Sequence, residues 1–247
     1  MTDYEKFDQL HYQSTPLILA NVWNAKSAQI AENTGFKAVA TSSGAIAESL
    51  GYKDGEQIPF AELLYIVQRI KASISVPLSV DMERGYTNDL KLLNENIQKL
   101  IDTGVVGINM EDAQGEDIYL KKLNSIKNYL KKTNQQLFIN ARTDGFLQKL
   151  SSPLEITKKR AKLYKEVGAD GLFVTGVQDT EIIKEIVSST TLPVNVVGLA
   201  KTASVSILAG CGVKRVSMAV FLFKATYKKT EMMAREILNK QSLETLF

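Results

Sequence analysis

Acidic and basic side chains stand where three apolar runs of this sequence end. Asp81 and Glu83 end one run, Glu111 ends the next one along the chain, and Arg142 follows the run 137–141. Because strand side chains alternate between faces with period two, Asp81 and Glu83 are expected to share one face of their strand. Packed carboxylates repel each other and lose hydration, and a divalent cation relieves both costs. The pattern therefore predicts a Mg²⁺ site, with Mn²⁺ as the other candidate ion.

Each of these residues also has a purely structural interpretation. The carboxylates could be solvated loop groups or ion-pair partners of Arg84 and nearby lysines. Arg142 could grip a substrate carboxylate or phosphonate with its planar fork, or could form a salt bridge to Asp144 or Glu111. Spacing alone does not decide between these alternatives.

Three further segments carry candidate binding residues. The turn 41–45 could bind an acid group through the backbone amides and hydroxyls around Ser43, Gly44 and Ala45, or could be an ordinary serine-rich turn. Asn195, in an otherwise apolar strand, could line a pocket or satisfy buried backbone groups. Asp54 could be an outer metal ligand or a turn residue.

Missing residue types exclude several other mechanisms. No lysine falls inside a predicted strand, which argues against Schiff-base chemistry. The single histidine, His11, precedes the first strand and is expected at the surface, so histidine metal sites and Ser-His triads are not indicated. The single cysteine, Cys211, excludes an internal disulfide and is expected to be a packing residue.

Composition suits one large α/β domain or two small ones, and no linker divides the chain. The chain has 247 residues, of which 45% are hydrophobic and 23% charged, and we treat 1–247 as a single domain. Its 30 basic and 27 acidic residues give a net charge of +3 with no basic-aromatic cluster, so no nucleic-acid partner is expected. No signal sequence and no apolar run of bilayer-spanning length is visible, which predicts a cytoplasmic protein without a membrane partner.

One unit recurs along the chain: an amphipathic helix, a glycine and a short apolar strand. The glycines are Gly35, Gly104, Gly168 and Gly212, and such residues end helices by adopting a left-handed conformation. Four more strands are predicted at 17–22, 77–80, 137–141 and 192–197. Eight strands alternating with helices predict a (β/α)8 TIM barrel with a closed, parallel, eight-stranded sheet. The rival, an open doubly wound sheet, would require a glycine-rich fingerprint that is missing after the first strand.

Several motifs, taken together, resemble the isocitrate lyase/phosphoenolpyruvate mutase superfamily. The segment 79–86, Ser-Val-Asp-Met-Glu-Arg-Gly-Tyr, is similar to its Asp-x-[Asp/Glu]-x-Gly-Tyr motif. Segment 107–112 resembles its Gly-Ile-x-x-Glu-Asp motif, and segment 140–144 resembles its Ala-Arg-Thr-Asp motif. Residues 43–54 and 23–28 resemble its second-strand loop and first strand–helix turn. The matches run in order from about residue 17 to about residue 220.

The resemblance implies a barrel that binds Mg²⁺ and a small α-oxo carboxylate or phosphonate. By motif position, Asp81 would ligate the metal directly, and Glu83, Glu111 and Asp54 would hold it through water. Ser43, Gly44 and Ala45 would bind one acid end of the substrate, and Arg142 would hold an acid group. A metal-stabilised enolate would be the shared intermediate. The resemblance also implies a homo-oligomer, dimer or tetramer, with the stretch 226–243 as a swapped C-terminal helix.

The sequence departs from the superfamily after Glu111-Asp112. The lyases carry a gating loop with Lys-[Lys/Arg]-Cys-Gly-His there, whereas this chain reads Ala-Gln-Gly-Glu-Asp and enters a helix. We therefore expect neither isocitrate nor methylisocitrate lyase activity, and the pattern is that of the short-gating-loop, phosphonomutase-like branch. The leading hypothesis is a lyase, hydrolase or mutase acting on a C–C or C–P bond, with Asp81, Glu111 and Arg142 as catalytic residues. The alternatives are a non-catalytic oxo-acid binder and, ranked last, a sugar-phosphate barrel.

Overall fold

The computed structural model describes residues 1–202 and 204–247, and these residues form a closed parallel barrel. Each strand pairs in parallel with the next, and the eighth pairs with the first. The strands are β1 Leu17–Val22, β2 Val39–Thr41, β3 Leu78–Asp81, β4 Gly107–Glu111, β5 Phe138–Thr143, β6 Gly171–Val174, β7 Val194–Val197 and β8 Arg215–Ser217. The predicted (β/α)8 TIM barrel is therefore confirmed.

Helices alternate with the strands throughout the described part of the chain. A helix precedes β1, two helices follow β2, and one helix follows each other strand. They are α1 Asp3–Gln9, α2 Ala25–Asn33, α3 Ser43–Ser49, α4 Phe60–Lys71, α5 Leu90–Asp102, α6 Glu116–Thr133, α7 Pro153–Val167, α8 Thr180–Ser188, α9 Val205–Gly210 and α10 Phe221–Lys240.

The helix boundaries follow from local chemistry. Asp89 and Asp179 cap α5 and α8, each carboxylate accepting two backbone N–H groups of the first turn. At the other end, Gly168 closes α7 with φ of +98° and donates its N–H to Lys165 and Tyr164 carbonyls. A side chain is strained at that angle, so glycine there lets the chain turn into the next strand.

The apolar core has two parts, divided by the sheet. The larger part lies between strands and helices and takes the outward side chains, such as Ile108, Met110 and Ile139. The smaller part lies inside the barrel near the amino-terminal ends of the strands. There Phe7 of α1 packs with a few strand residues: Leu17, Leu19, Ala38, Ala40, Val106 and Phe138. Helix α1 therefore plugs the amino-terminal end of the barrel and leaves the carboxyl-terminal end open for a site.

The expectation that His11 lies at the surface is wrong. His11 is 1% exposed, and its ring stacks on Phe138 with centroids 4.2 Å apart. Its Nδ1 lies 2.9 Å from the Phe7 carbonyl oxygen. The segment before β1 folds under the barrel, and this tertiary contact leaves no local pattern in the sequence.

Other expectations about single residues meet mixed outcomes. Cys211 is buried, as expected of a packing residue. Lys122 of α6 is buried, and its Nζ donates to the Arg84 carbonyl oxygen and the Gln114 side chain. The predicted C-terminal helix exists as α10. None of the helices within 1–202 and 204–247 has both the length and the apolar character of a membrane span.

Candidate active site

A cavity of about 480 Å³ opens at the carboxyl-terminal ends of the strands. Five residues that the sequence nominated line it: Ser43, Gly44, Asp54, Asp81 and Arg142. The opposite wall is largely apolar, with Phe146, Leu147, Phe173, Val197, Leu199 and Phe221. The cavity thus has a charged end above β3 and β5 and an apolar end, which suits a small organic acid.

Asp81 ends β3 and is held by its neighbours on β2 and α3. Its backbone N–H donates to Thr41 Oγ1 at 2.8 Å, and Ser43 Oγ donates to its Oδ2 at 3.0 Å. Its Oδ1 is buried and makes no hydrogen bond within the described residues. Burial raises the pKa of Asp81, although Arg142 and the Ser43 hydrogen bond oppose the shift. An acceptor-only oxygen left in this state calls for a cation.

Glu83 reaches the site by a route that strand alternation does not describe. Strand β3 ends at Asp81, and Glu83 lies beyond it with φ of +46°, so the period-two argument fails for this residue. It is buried, and Tyr86 donates to its Oε1 at 3.0 Å. Burial, reinforced by the charge of Asp81, raises the pKa of Glu83 to about 8. Glu83 does not line the cavity wall.

Arg142 lies between two carboxylates, Glu111 on the neighbouring strand β4 and Asp144 just beyond the end of β5. Its Nη1 is 2.8 Å from Glu111 Oε2, and its Nε and Nη2 donate to the two oxygens of Asp144. Both structural salt bridges that were weighed for Arg142 therefore exist. Burial raises the pKa of Glu111 to about 7, outweighing the opposing effect of Arg142. Alternation does hold here, since Asn109 and Glu111 of β4 register with Asn140 and Arg142 of β5.

Asp54 is held in place by Glu56, two residues later in the same loop, which binds the segment 84–86 after β3; we call this contact the loop clamp. Glu56 Oε1 accepts the backbone N–H groups of Arg84 and Tyr86, both at 2.8 Å, and its Oε2 lies 3.2 Å from Arg84 Nη2. A Cβ on Gly44 would come within 3.0 Å of the Asp54 carboxylate, so glycine permits the close approach of this loop to α3. Asp54 is therefore held over the charged end of the cavity.

The turn that begins α3 contributes fewer groups than expected. Ser42 caps the helix by accepting the Ala45 N–H at 3.3 Å, so that amide is already used. Ala45 is buried and lies outside the cavity wall, whereas Ser43 and Gly44 lie in it. Ser43 and Gly44 remain candidates for binding an acid group, and Ala45 is a packing residue.

Asn195 lies beneath the cavity rather than in its wall. It is fully buried, and its Nδ2 donates to the carbonyl oxygens of Val196 and Arg215. This is the alternative in which the side chain satisfies buried backbone groups. Its Oδ1 accepts from Asn140, which links it to a polar layer inside the barrel.

The donors present fit a magnesium ion that keeps most of its water. Asp81 offers a buried oxygen without a hydrogen bond to any described residue, Asp54 lines the same cavity, and Glu83 and Glu111 lie outside the cavity wall. Within residues 1–202 and 204–247, no three His, Cys, Asp or Glu side chains lie close enough to hold an ion together. Mg²⁺ is commonly bound by one or two direct carboxylates with water completing its octahedron, so the arrangement suits it better than a site made wholly of protein ligands.

Sequence reasoning missed residues that orient the site. Asp144 entered only as an ion-pair partner, Thr41 only as part of a turn, and Glu56 not at all. Asp144 follows the last residue of β5 and stands two residues after Arg142, a spacing that could have indicated it. The contacts of Thr41 and Glu56 depend on which loops meet, and no sequence pattern reports that.

Comparison with known proteins gives consistent similarities. The family profile described as phosphoenolpyruvate phosphomutase matches residues 7–238. The oxaloacetate decarboxylase of Rhodopseudomonas palustris (strain BisA53) is 32% identical over 189 residues, covering 71% of this chain and 63% of that protein. The 2-methylisocitrate lyase of Aeropyrum pernix is 28% identical, covering 91% of this chain and 76% of that protein.

Solved structures share the barrel. A provisionally named phosphonomutase of Burkholderia cenocepacia J2315 superposes with a TM-score of 0.89 at 32% identity, covering 95% of this chain and 98% of that one. A phosphonopyruvate hydrolase solved with oxalate and Mg²⁺ gives a TM-score of 0.87 at 17% identity, covering 99% and 89%. The second likeness is evidence for the fold alone.

Proposed function

This chain belongs to the phosphoenolpyruvate phosphomutase family, within the phosphoenolpyruvate mutase/isocitrate lyase superfamily, and on that premise we propose that it is a Mg²⁺-dependent enzyme acting on a small α-oxo acid. The reaction breaks or forms a C–C or C–P bond. The observation that carries the proposal is the buried Oδ1 of Asp81, which has no hydrogen-bond partner among the described residues and lies in the same cavity as Arg142.

Four carboxylates would hold the metal. Asp81 would bind it directly, and Glu83, Glu111 and Asp54 would hold it through water. When bound, Mg²⁺ (or Mn²⁺) supplies Lewis-acid stabilisation for negative charge that develops on the substrate's oxo oxygen. The raised pKa values of Glu83 and Glu111 support this assignment, because burial makes their charged forms costly and the charge of Asp81 adds to the cost, and a bound cation would offset both effects.

Arg142 and the start of α3 would bind the substrate's acid groups. Asp144 occupies the Nε–Nη2 side of the guanidinium and Glu111 takes one Nη1 proton. The remaining N–H groups at the Nη1–Nη2 end form a fork that fits a carboxylate or phosphonate. Ser43 and Gly44 line the same cavity and would hold the other end of the molecule.

Decarboxylation of an oxo diacid of the oxaloacetate type is the first candidate reaction. The similarity to an oxaloacetate decarboxylase supports it, and hydrolysis of an oxo diacid and C–P cleavage of a phosphonopyruvate-like compound follow. Only residues 112–115 connect β4 to α6, with no cysteine among them. We therefore propose that the enzyme is not an isocitrate or methylisocitrate lyase, despite its similarity to one 2-methylisocitrate lyase.

We propose a cytoplasmic homo-oligomer, either a dimer or a tetramer. Helix α10 and the residues after it expose several large apolar side chains, among them Phe221, Tyr227, Met232, Leu238 and Leu243. An apolar surface of this kind is typical of a subunit interface, and a swapped C-terminal helix would cover it. Light scattering coupled to size-exclusion chromatography tests the assembly directly.

One screen tests the proposed function. The protein is incubated with oxaloacetate, related oxo diacids, phosphonopyruvate and 2-methylisocitrate, with Mg²⁺ or with EDTA. Formation of pyruvate, phosphate, oxalate or phosphoenolpyruvate is followed by coupled assays and corrected for the same mixture without protein. We expect Mg²⁺-dependent product from at least one oxo acid and none from 2-methylisocitrate. Absence of Mg²⁺-dependent product from every compound would reject the proposal, and oxo-acid binding by calorimetry without turnover would favour a non-catalytic binder.

A further inference from the structure

Asn109 stands at the centre of the barrel mouth, between proposed metal and substrate ligands. On neighbouring strands it registers with Asp81 on one side and Asn140 on the other. It is 3% exposed and lines the same cavity as Asp81 and Arg142. The proposed function gives this residue no role.

The orientation of the Asn109 amide is fixed by chemistry. Arg215 Nη2 lies 3.1 Å from Asn109 Oδ1. A guanidinium has only donors, so the Asn109 atom facing it must be the oxygen. Asn140 Nδ2 donates to the same oxygen at 2.9 Å. The Asn140 nitrogen is fixed in turn, because it also donates to Asn195 Oδ1, and Asn195 Nδ2 faces two carbonyl oxygens.

Arg215 is an unusual residue to bury in this place. It is 1% exposed, and its Nε and Nη1 make no hydrogen bond within the described residues. No carboxylate in that part of the chain forms a salt bridge with it, although its guanidinium carbon lies 5.9 Å from the Phe7 ring centroid. A buried cation without an anionic partner is costly, so its hydrogen bond to Asn109 is a candidate reason for its presence.

The consequence concerns the other end of the Asn109 amide. With Oδ1 occupied by Arg215 and Asn140, Nδ2 is turned away from them. Nδ2 makes no hydrogen bond within residues 1–202 and 204–247, and it is not among the atoms sealed from solvent. Its two N–H groups are therefore free to donate into the cavity that Asn109 lines.

We propose that Asn109 Nδ2 is a hydrogen-bond donor for an anionic oxygen of the bound oxo acid, and that Arg215 and Asn140 are the residues that position it. The inference rests on the proposed function. A fixed amide donor needs no reorganisation when charge grows on the oxygen. The buried charge of Arg215, drawing on Oδ1, strengthens the N–H groups as donors through the shared hydrogen-bond chain.

Oxalate at saturating Mg²⁺ is the probe, with its dissociation constant measured by isothermal titration calorimetry. Asn109→Ala removes the donor and Asn109→Asp replaces it with a carboxylate that can still pair with Arg215. We expect oxalate affinity to fall about 10- to 100-fold in both, the range for a hydrogen bond to a charged group. Asn94→Asp, the same change on the outer helix α5, should leave the affinity unchanged.

A second pair of variants tests the positioning role without touching Asn109. Arg215→Met keeps the bulk but loses the contact with Oδ1, and should weaken oxalate binding about tenfold, whereas Arg215→Lys keeps a donor and should restore part of the loss. Thermal unfolding identifies the variants that are folded. If folded Asn109→Ala and Asn109→Asp proteins bound oxalate with wild-type affinity, the role of Asn109 would be rejected and the proposed function would stand. If the wild-type protein failed to bind oxalate with Mg²⁺, the proposed function would be rejected.

Discussion

Asp144 holds the guanidinium of Arg142 at two points, Nε to Oδ1 at 2.7 Å and Nη2 to Oδ2 at 2.9 Å. Asp144 is itself fixed, since Thr175 donates to its Oδ1 and its backbone N–H donates to Asp112 Oδ1 at 3.0 Å. Asp112 is anchored by Tyr164 at 2.6 Å and Arg160 at 2.9 Å. The orientation of the Arg142 guanidinium in the cavity is thus set by Asp144 and by the residues that hold Asp144.

Replacing Asp144 with Asn tests this arrangement. The amide cannot accept at both positions, so Arg142 loses its two-point partner while keeping Glu111. Because a buried ion pair is broken from one side, we expect the free energy of unfolding to fall by about 3 kcal/mol. We also expect oxalate to bind about tenfold more weakly at saturating Mg²⁺.

Urea unfolding and calorimetry measure the two effects of Asp144→Asn. Asp102→Asn, on the outer helix α5, is the matched control and should change neither quantity. Wild-type oxalate affinity in a folded Asp144→Asn protein would show that Arg142 needs no positioning by Asp144.

Asp81 gives a test of the metal site that does not depend on turnover. Burial raises the pKa of its carboxyl group, so the carboxylate is costly to the metal-free protein. Asp81→Ala should therefore leave the thermal midpoint of the metal-free protein unchanged or higher. It should also abolish the rise in that midpoint that Mg²⁺ produces in the wild-type protein, together with Mg²⁺-dependent product formation.

Differential scanning calorimetry with and without Mg²⁺ measures this contrast for Asp81→Ala. Glu83→Gln is the comparison, because loss of a ligand bound through water should weaken the Mg²⁺ response without removing it. If Mg²⁺ stabilised Asp81→Ala as much as the wild-type protein, the ion would bind at another place in the protein.

The barrel was predictable because its signals are local. Short apolar strand runs, glycine stops and strict alternation with helices each depend on a few neighbouring residues. Closure of the barrel brings the carboxyl-terminal ends of the strands together, so the sequence alone could assign Asp81, Glu111 and Arg142 to one site.

What could not be predicted depends on contacts between distant segments. Glu83 left the alternation because β3 stops at Asp81. His11 was misplaced because α1 folds beneath the barrel. The roles of Asn195, Asn109 and Arg215 depend on which inward side chains meet at one level of the barrel. The pairing register of neighbouring strands sets that level, and the sequence of a single strand does not determine the register.

The loop clamp formed by Glu56 should control metal affinity more than the chemical step. Glu56 joins the loop of Asp54 to the segment that carries Glu83, through two backbone N–H groups and Arg84. Glu56→Gln keeps one acceptor oxygen and loses the charge. We expect the Mg²⁺ concentration for half-maximal activity to rise about tenfold, and the rate at saturating Mg²⁺ to stay within about twofold of wild type.

Titration of activity with Mg²⁺ checks the Glu56 prediction. Glu62→Gln is the matched control, since Glu62 lies on α4 and, among the described residues, its side chain accepts only from Tyr52. A loss of maximal rate with an unchanged Mg²⁺ requirement would assign Glu56 to the reaction itself rather than to the clamp.

His11 should make the stability of the fold sensitive to acid. Burial, reinforced by the charge of Arg215, lowers the pKa of His11 to about 3, whereas the unfolded chain has the ordinary value near 6.5. With Nδ1 donating to Phe7, a second proton would have to sit on Nε2, which is buried and has no partner within the described residues. Between these two pKa values the unfolded state binds a proton that the folded state does not.

The contribution of His11 to stability is therefore complete above about pH 6.5 and lost progressively toward pH 3, at about 1.4 kcal/mol per pH unit within that window. His11→Gln removes the titrating group. Urea unfolding at pH 7, 6, 5 and 4 should show the wild-type protein losing stability relative to the variant by about that slope below pH 6, on top of any acid sensitivity common to both. If the stability of the two proteins changed with pH in parallel, His11 would become protonated in the folded state. The amino-terminal end of the barrel would then have to admit water.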